Sequence, residues 1–336
     1  MNYLNRVILD PRSTAFLGAV ARKLEEALPI DASGNGSDRR HLIIDAARHL
    51  IFSETAKRIR PLLVYYSGRI FREDDRKWID IAVAAELIHS ASLLHDDVVD
   101  HAEVRRHRPT ANMKWGNTVA ILSGDLLLTV ALRQLKSVDE GVVREAIEVV
   151  GRMTEATINE VLSRGRLDVS LEEWREMAAG KTGSLFEWCT RAAVWETAHG
   201  EVLGRLTDCT RRFALAFQMM DDLKDVVRTA SGKDAFSDLR NKELNSAVIL
   251  AAGASDRVRD AIACLWEQEE PDPEQVQDVA SRIAASNAVE RVKALVRTEV
   301  SAGVELLGEY RETPGGERIA FWADSLLKAV PTKGAE

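Results

Sequence analysis

Two acidic clusters of one pattern, Asp96-Asp97-Val98-Val99-Asp100 and Asp221-Asp222-Leu223-Lys224-Asp225, are the residues of this chain best suited to chemistry. Each follows an apolar run, Ser92-Leu93-Leu94-His95 before the first and Ala216-Phe217-Gln218-Met219-Met220 before the second. On a helix, residues i and i+4 share a face, so Asp96 projects with Asp100 and Asp221 with Asp225, with Asp97 and Asp222 beside them. Two carboxylates about 5–6 Å apart repel by about 3 kcal/mol at an effective dielectric near 20. At the mouth of an apolar interior such a cluster needs a cation. Hard oxygen donors favour Mg²⁺ held through one or two carboxylates and a substrate phosphate, and two clusters facing each other would clamp a diphosphate. An acidic group on a helix is more often a solvated face. Glu73-Asp74-Asp75 is that ordinary case, a surface turn among charged and aromatic neighbours. Duplication and the apolar lead-in set the other two clusters apart.

These residues need long helices to hold them. The segment from Ile79 to about Asp100 is apolar or small on nearly every face, which predicts a helix inside a bundle, and three aspartates at its end are costly to desolvate without cations. The eight prolines leave residues 110–270 clear, and that interval is rich in Ala, Leu, Val, Glu and Arg with helical periodicity. A Gly/Ser-rich stretch at 31–39 predicts a flexible loop, Pro271-Asp272-Pro273 a break, and 331–336 a frayed tail. The expected fold is all-α: one domain over 1–336, a bundle of long, mostly antiparallel helices around a deep central cavity.

The chain has 336 residues, 46% hydrophobic and 29% charged, with a net charge of −8, and no basic stripe suited to nucleic acid. Cys189, Cys209 and Cys264 show neither metal-ligand spacing nor an even framework, so a cytoplasmic setting is expected. No signal peptide is expected, and no spanning helix, since no uncharged run approaches 18 residues.

Several ordered motifs give the chain a resemblance to the trans-isoprenyl diphosphate synthases of the polyprenyl synthetase family, covering roughly residues 50–250. Thr55-Ala56-Lys57-Arg58-Ile59-Arg60-Pro61 resembles GGKRxRP, and Glu86-Leu87-Ile88-His89 precedes the first DDxxD. Arg105-Arg106-His107-Arg108-Pro109-Thr110 resembles RRGxPT. Trp115-Gly116-Asn117, Ser123-Gly124-Asp125, Lys181-Thr182 and Phe217-Gln218 match further elements, with Gly232-Lys233 and Asp238-Leu239 behind the second DDxxD. There are departures: Thr55, Ala56 and His107 replace glycines, Asn159-Glu160-Val161-Leu162-Ser163 stands where GExxQ is usual, and the segment from Lys242 to Ala247 lacks its proline.

The resemblance implies the isoprenoid synthase fold, a homodimer and about two or three Mg²⁺ ions per site, with Asp96, Asp100, Asp221, Asp222 and Asp225 as metal ligands. Asp97, Lys181, Thr182 and Gln218 join the catalytic set. Arg105, Lys181 and Lys233 would bind the allylic diphosphate. Lys57, Arg60, His89 and Arg106 would form a metal-free basic pocket for isopentenyl diphosphate. The implied reaction is head-to-tail condensation of these two substrates. The small Ala91 and Ser92, one turn before Asp96, and Ile88 beyond them predict a product of roughly twenty to forty carbons, one isoprene unit spanning about one helical turn. Two rivals share the scaffold. A terpene cyclase needs the metal clusters but not the second basic pocket, and a non-catalytic subunit of a heteromeric synthase tends to lose an aspartate cluster.

Overall fold

The computed structural model describes residues 9–29, 40–53, 56–105, 108–227 and 236–328. Thr55, Arg106, His107, Gly232 and Lys233, the expected loop at 31–39 and the expected tail at 331–336 lie outside the described residues. Among the described residues the chain is a succession of α-helices, and its strands are Val104–Arg105 and Arg108–Pro109, paired antiparallel with Arg105 opposite Arg108. The all-α expectation holds.

Two compact units are present, one drawn from Met1–Val150, Trp188–Gly204 and Glu309–Ile319, the other from Gly151–Glu187, Arg205–Gly308 and Ala320–Glu336. The first unit centres on the helix Lys77–Val99, on which residues 81–88 are all buried. Its alanines let neighbouring helices approach from several sides, and it packs on Asn117–Gln134, Ile59–Gly68 and Pro11–Ala27. Gly68 is needed at one such crossing, because a Cβ there would lie 2.2 Å from the Trp78 ring. The Trp78 indole donates to the Ala193 carbonyl at 3.1 Å, so its polar edge is satisfied in the core. Pro11–Ala27 starts cleanly because Asp10 and Ser13 form a reciprocal capping box with Pro11 in the first turn.

In the second unit, Ser170 and Glu173 form another capping box and start Leu171–Ala178. The apolar helix Ser246–Ala254 is capped by Asn245 and packs on Ala288–Leu307 and Asp256–Trp266. Gly303 lets the Phe213 ring approach to 2.5 Å of where a Cβ would stand. The buried Glu299 accepts from Arg175 and, at 2.9 Å, from Arg212, which ties three helices together. As expected from the prolines, the chain breaks near residue 271 and restarts at Pro273–Ala285, capped by Asp272.

One helical stretch, Asn117–Ser137, is by length and composition long and apolar enough to cross a membrane, with a mean hydropathy of 1.4, although no uncharged run in it approaches 18 residues. Asp125 and Arg133 interrupt it, so a search for uncharged runs passes over it. One of its faces covers Lys77–Val99, while Ile121, Leu122 and Leu132 are exposed.

Candidate active site

Both acidic clusters stand in the last turns of long helices. Lys77–Val99 ends with Asp100 as its C-cap, and His101 follows at φ 50°, turning the chain away. The carbonyl end of a helix carries partial negative charge, so carboxylates there add to an unfavourable potential, and this helix has no basic residue in its last turn. Asp96 and Asp100 are half-buried, whereas Asp97 is 1% exposed and accepts from Arg105 Nε at 2.5 Å. The cluster thus divides into two outer carboxylates and an inner one that holds the strand Val104–Arg105.

The strand is secured from its other end. Thr110 Oγ1 donates to the Ala102 carbonyl at 2.7 Å, and Thr110 N donates to the Glu103 carbonyl at 3.0 Å. The Thr of RRGxPT therefore closes the loop that presents Arg105. A small hollow lies between Asp97, Arg105, Leu94 and Pro109. The glycine of Ser123-Gly124-Asp125 has a packing reason too: a Cβ at Gly124 would lie 2.2 Å from His95 Nε2, and the His95 ring instead reaches the Ile121 carbonyl at 3.1 Å.

The basic segment is the electrostatic mirror image of the first cluster. Lys57, Arg58 and Arg60 surround the start of Ile59–Gly68, which has no acidic residue in its first turn. A helix N-terminus is itself electropositive, so cations gathered there are suited to an anion. Arg58 adopts φ 51°, and its guanidinium is held by Glu86 and the Ile51 carbonyl. Glu86 is 2% exposed, so Lys57 and Arg60 flank a buried ion pair. The sequence reading quoted Arg58 and Glu86 as motif residues without giving them this work. Lys57, Arg60 and His89 are half-buried, and their pocket partner Arg106 lies outside the described residues.

In the second unit, Lys181 and Thr182 sit on a π-helical turn, Ala179–Gly183. Such bulges insert an extra residue in a helix and commonly re-aim functional side chains. Lys181 pairs with Glu160, the acid retained from the altered GExxQ element. Thr182 Oγ1 donates to Gln218 Oε1 at 3.0 Å, and Gln218 Nε2 donates to Asp222 Oδ1 at 3.3 Å. Asp222 Oδ2 accepts from Ser246 N at 2.8 Å and Ser246 Oγ at 2.7 Å. Burial pushes Asp222 up to about 7, against the opposing pull of those hydrogen bonds.

Asp225 is occupied inside the unit as well. It accepts from Ser237 N and Oγ, both at 3.0 Å, and from Asp238 N at 3.2 Å. Burial raises Asp225, and burial with the repulsion of Asp225 raises Asp238, which Asn245 partly relieves by donating at 2.9 Å. Of the second cluster, Asp221 is the outward member, its side chain 43% exposed with Lys224 2.7 Å away. Nothing in the sequence around Ser246 points to its partner, because Asp222 lies 24 positions away along the chain.

Among the described residues no three His, Cys, Asp or Glu side chains form a ready cage. The outward carboxylates of each cluster are hard oxygen donors at an electronegative helix end, and such donors fit a divalent cation.

Residues 41–283 match the profile of the polyprenyl synthetase family. The chain belongs to that family. This polyprenyl synthetase is 32% identical over 297 residues to a short chain isoprenyl diphosphate synthase of Methanothermobacter thermautotrophicus, covering 85% of this chain and 90% of the relative. It is 31% identical over 295 residues to heptaprenyl diphosphate synthase component 2 of Geobacillus stearothermophilus, covering 87% and 88%. In fold it is similar to a polyprenyl synthase from Caulobacter crescentus CB15 solved with calcium and isoprenyl diphosphate, with a TM-score of 0.87 over 98% of each chain at 23% identity. Family membership makes the protein a prenyltransferase with the isoprenyl synthase fold.

Proposed function

We propose that this polyprenyl synthetase condenses isopentenyl diphosphate with an allylic diphosphate, head to tail, and releases diphosphate. The observation that carries the reading is made within one unit: carboxylates on the C-terminal turn of Lys77–Val99 and cations at the N-terminus of Ile59–Gly68, and the other unit repeats the acidic pattern on the last turns of Gly200–Val227. Asp96, Asp100 and Asp221 are the proposed Mg²⁺ ligands; the other two ligands expected from the resemblance, Asp222 and Asp225, are engaged by Ser246 and by Ser237 and Asp238, and with Asp97 they are proposed to hold the surrounding structure. Bound there, Mg²⁺ supplies Lewis-acid stabilisation of the departing diphosphate.

The chain's own residues do the rest. Arg105, Lys181 and Lys233 pair with diphosphate oxygens, contacts that strengthen as the allylic C–O bond breaks and charge moves onto the leaving group. Lys181 exchanges Glu160 for substrate in doing so. Lys57, Arg60, His89 and Arg106 hold isopentenyl diphosphate without metal, so it keeps its own C–O bond. Its alkene carbon attacks the allylic cation, a C–C bond forms, and the adjacent proton leaves to the released diphosphate. Thr182 and Asp222 fix the Gln218 amide in one orientation, which suits it to stabilise the cation by its dipole.

The product is proposed to carry roughly twenty to forty carbons, with the tail growing along Lys77–Val99, one turn of helix per isoprene unit. Ala91 is fully buried and small, and the Ser92 hydroxyl folds back on the His89 carbonyl at 2.9 Å, so neither blocks the next turn. A homodimer is also proposed. Exposed Ile121 and Leu132 are eleven positions apart on one helix face, with Leu122 and Ile147 exposed nearby in sequence, and a second copy would cover them.

The test is turnover of labelled isopentenyl diphosphate with Mg²⁺ and allylic starters of different length, followed by product sizing. Elongation is expected, and Ala91→Phe shortens the product. Cyclic hydrocarbon formed without isopentenyl incorporation would replace this reading with a cyclase. No turnover until a second, different chain is added would replace it with a heteromeric subunit.

A further inference from the structure

The ribbon Val104–Pro109 is tied to the helix Arg40–Ile51 through His49, a residue with no part in the reaction as described so far. His49 Nε2 lies 2.8 Å from the Pro109 carbonyl, and Arg108 Nη2 lies 2.8 Å from His49 Nδ1. Arg108 Nη1 also reaches the His49 carbonyl at 3.4 Å, and the Trp115 ring meets the imidazole edge-on at 5.2 Å. A carbonyl only accepts and a guanidinium only donates. The imidazole therefore satisfies both neighbours in one form, neutral with its proton on Nε2. Arg108 stands directly opposite Arg105 in the two-stranded ladder, and Arg105 is the residue that holds Asp97. The side chain that grips the outer strand is thus one ladder rung from the side chain that reaches the acidic cluster.

We propose that His49 is a positioning residue: it clamps the Arg108-Pro109 strand to the helix Arg40–Ile51 and so holds Arg105 where it can serve the diphosphate. The proposal rests on the reading of this ribbon as part of a diphosphate site. Burial holds the ring below its usual 6.5 against the pull of the Pro109 carbonyl, helped by the charged groups that face it, Arg108 from the ribbon and Lys114 from the helix Ala111–Trp115, both cationic. Protonation at Nδ1 would set two donors against each other and release Arg108.

His49→Ala and His49→Gln in the full chain test this. Glutamine can still donate to Pro109 and accept from Arg108, but it does not titrate. His49→Ala is expected to raise KM for the allylic diphosphate about tenfold, and His49→Gln to restore it to within about twofold of the unaltered protein. The ratio of kcat/KM between the unaltered protein and His49→Gln should fall as pH drops below 6.5, the ring's usual value, since substrate titration is common to both and cancels. Without substrate, amides within 101–112 should exchange hydrogen faster in His49→Ala, and at the normal rate in His49→Gln. A glutamine variant as impaired as the alanine variant at an unchanged melting temperature overturns the proposal. So does normal exchange in His49→Ala. If the unaltered protein elongates nothing, the proposed function falls, and the exchange rates still decide the clamp.

Discussion

The inner aspartates of the two clusters occupy the same place in the DDxxD pattern and are buried alike, Asp97 at 1% and Asp222 at 3% exposure, yet they are neutralised in different ways. Asp97 meets a full cation, Arg105, 2.5 Å away. Asp222 meets neutral donors, the Ser246 amide and hydroxyl and the Gln218 amide. The first arrangement keeps a charge in the core by pairing it; the second leaves desolvation only partly offset and drives the carboxyl toward protonation. One sequence motif therefore supports two kinds of anchor. The Asp97 anchor ties down the strand that carries Arg105, the arginine proposed to bind substrate. The Asp222 anchor joins the start of Ser246–Ala254 to Gln218 and, through it, to Thr182.

The largest expected effect separates outward from inward carboxylates. Asp221→Ala should lower kcat by roughly a thousandfold or more, with an unchanged melting temperature, because it removes a proposed ligand of the cation that would stabilise the leaving group. Asp222→Asn should lower kcat by less than about tenfold, since an amide can still accept from Ser246. Equal losses in steady-state assays would erase the distinction. Chelation with EDTA should abolish turnover in the unaltered protein, and Mg²⁺ should restore it.

A medium effect sets the two anchors against each other directly. Asp97→Asn leaves Arg105 without its counter-charge and should cost about 2–3 kcal/mol in urea unfolding, below the full cost of a broken buried pair because Arg105 remains 29% exposed. Asp222→Asn should behave oppositely with pH. Its carboxyl rises from 3.8 to about 7 on folding, so the stability it contributes is full below pH 3.8 and is lost as pH climbs through about 7. The asparagine variant of the metal-free protein should therefore show a flatter urea midpoint between those two pH values. A slope identical to that of the unaltered protein would show that Asp222 does not titrate there.

The smallest effect concerns Lys181. Its partner Glu160 is 30% exposed, and ion pairs of that kind contribute little. Glu160→Gln should lower KM for the allylic diphosphate by no more than about threefold, by removing a competitor for the ammonium. A rise of about tenfold in initial-rate measurements would instead make Glu160 part of the substrate site.

Much of this was legible in the residues. The continuous apolar run before Asp96 announced a helix buried on every face, and that helix is Lys77–Val99. The i, i+4 spacing announced carboxylates on one helix face, and the ordered motifs announced the family. The apolar stretch Asn117–Ser137 stands out by averaged hydropathy and not by uncharged runs, because Asp125 and Arg133 interrupt it. The π-helical turn under Lys181 was also hidden, since nothing in Ala179-Gly180-Lys181-Thr182-Gly183 distinguishes it from an ordinary helix.

Spacing along a helix is a local matter, set by 3.6 residues per turn, so the sequence alone determined which residues form each acidic cluster and, from the apolar run before Asp96, that the first cluster ends a helix. Which carboxylate turns inward, and what neutralises it, depends on groups brought in by the fold: Arg105 for Asp97, Ser246 for Asp222, Ser237 and Asp238 for Asp225. Those choices belong to tertiary structure, because the cost of burying a charge is decided by whatever packs against it, not by its neighbours in the chain.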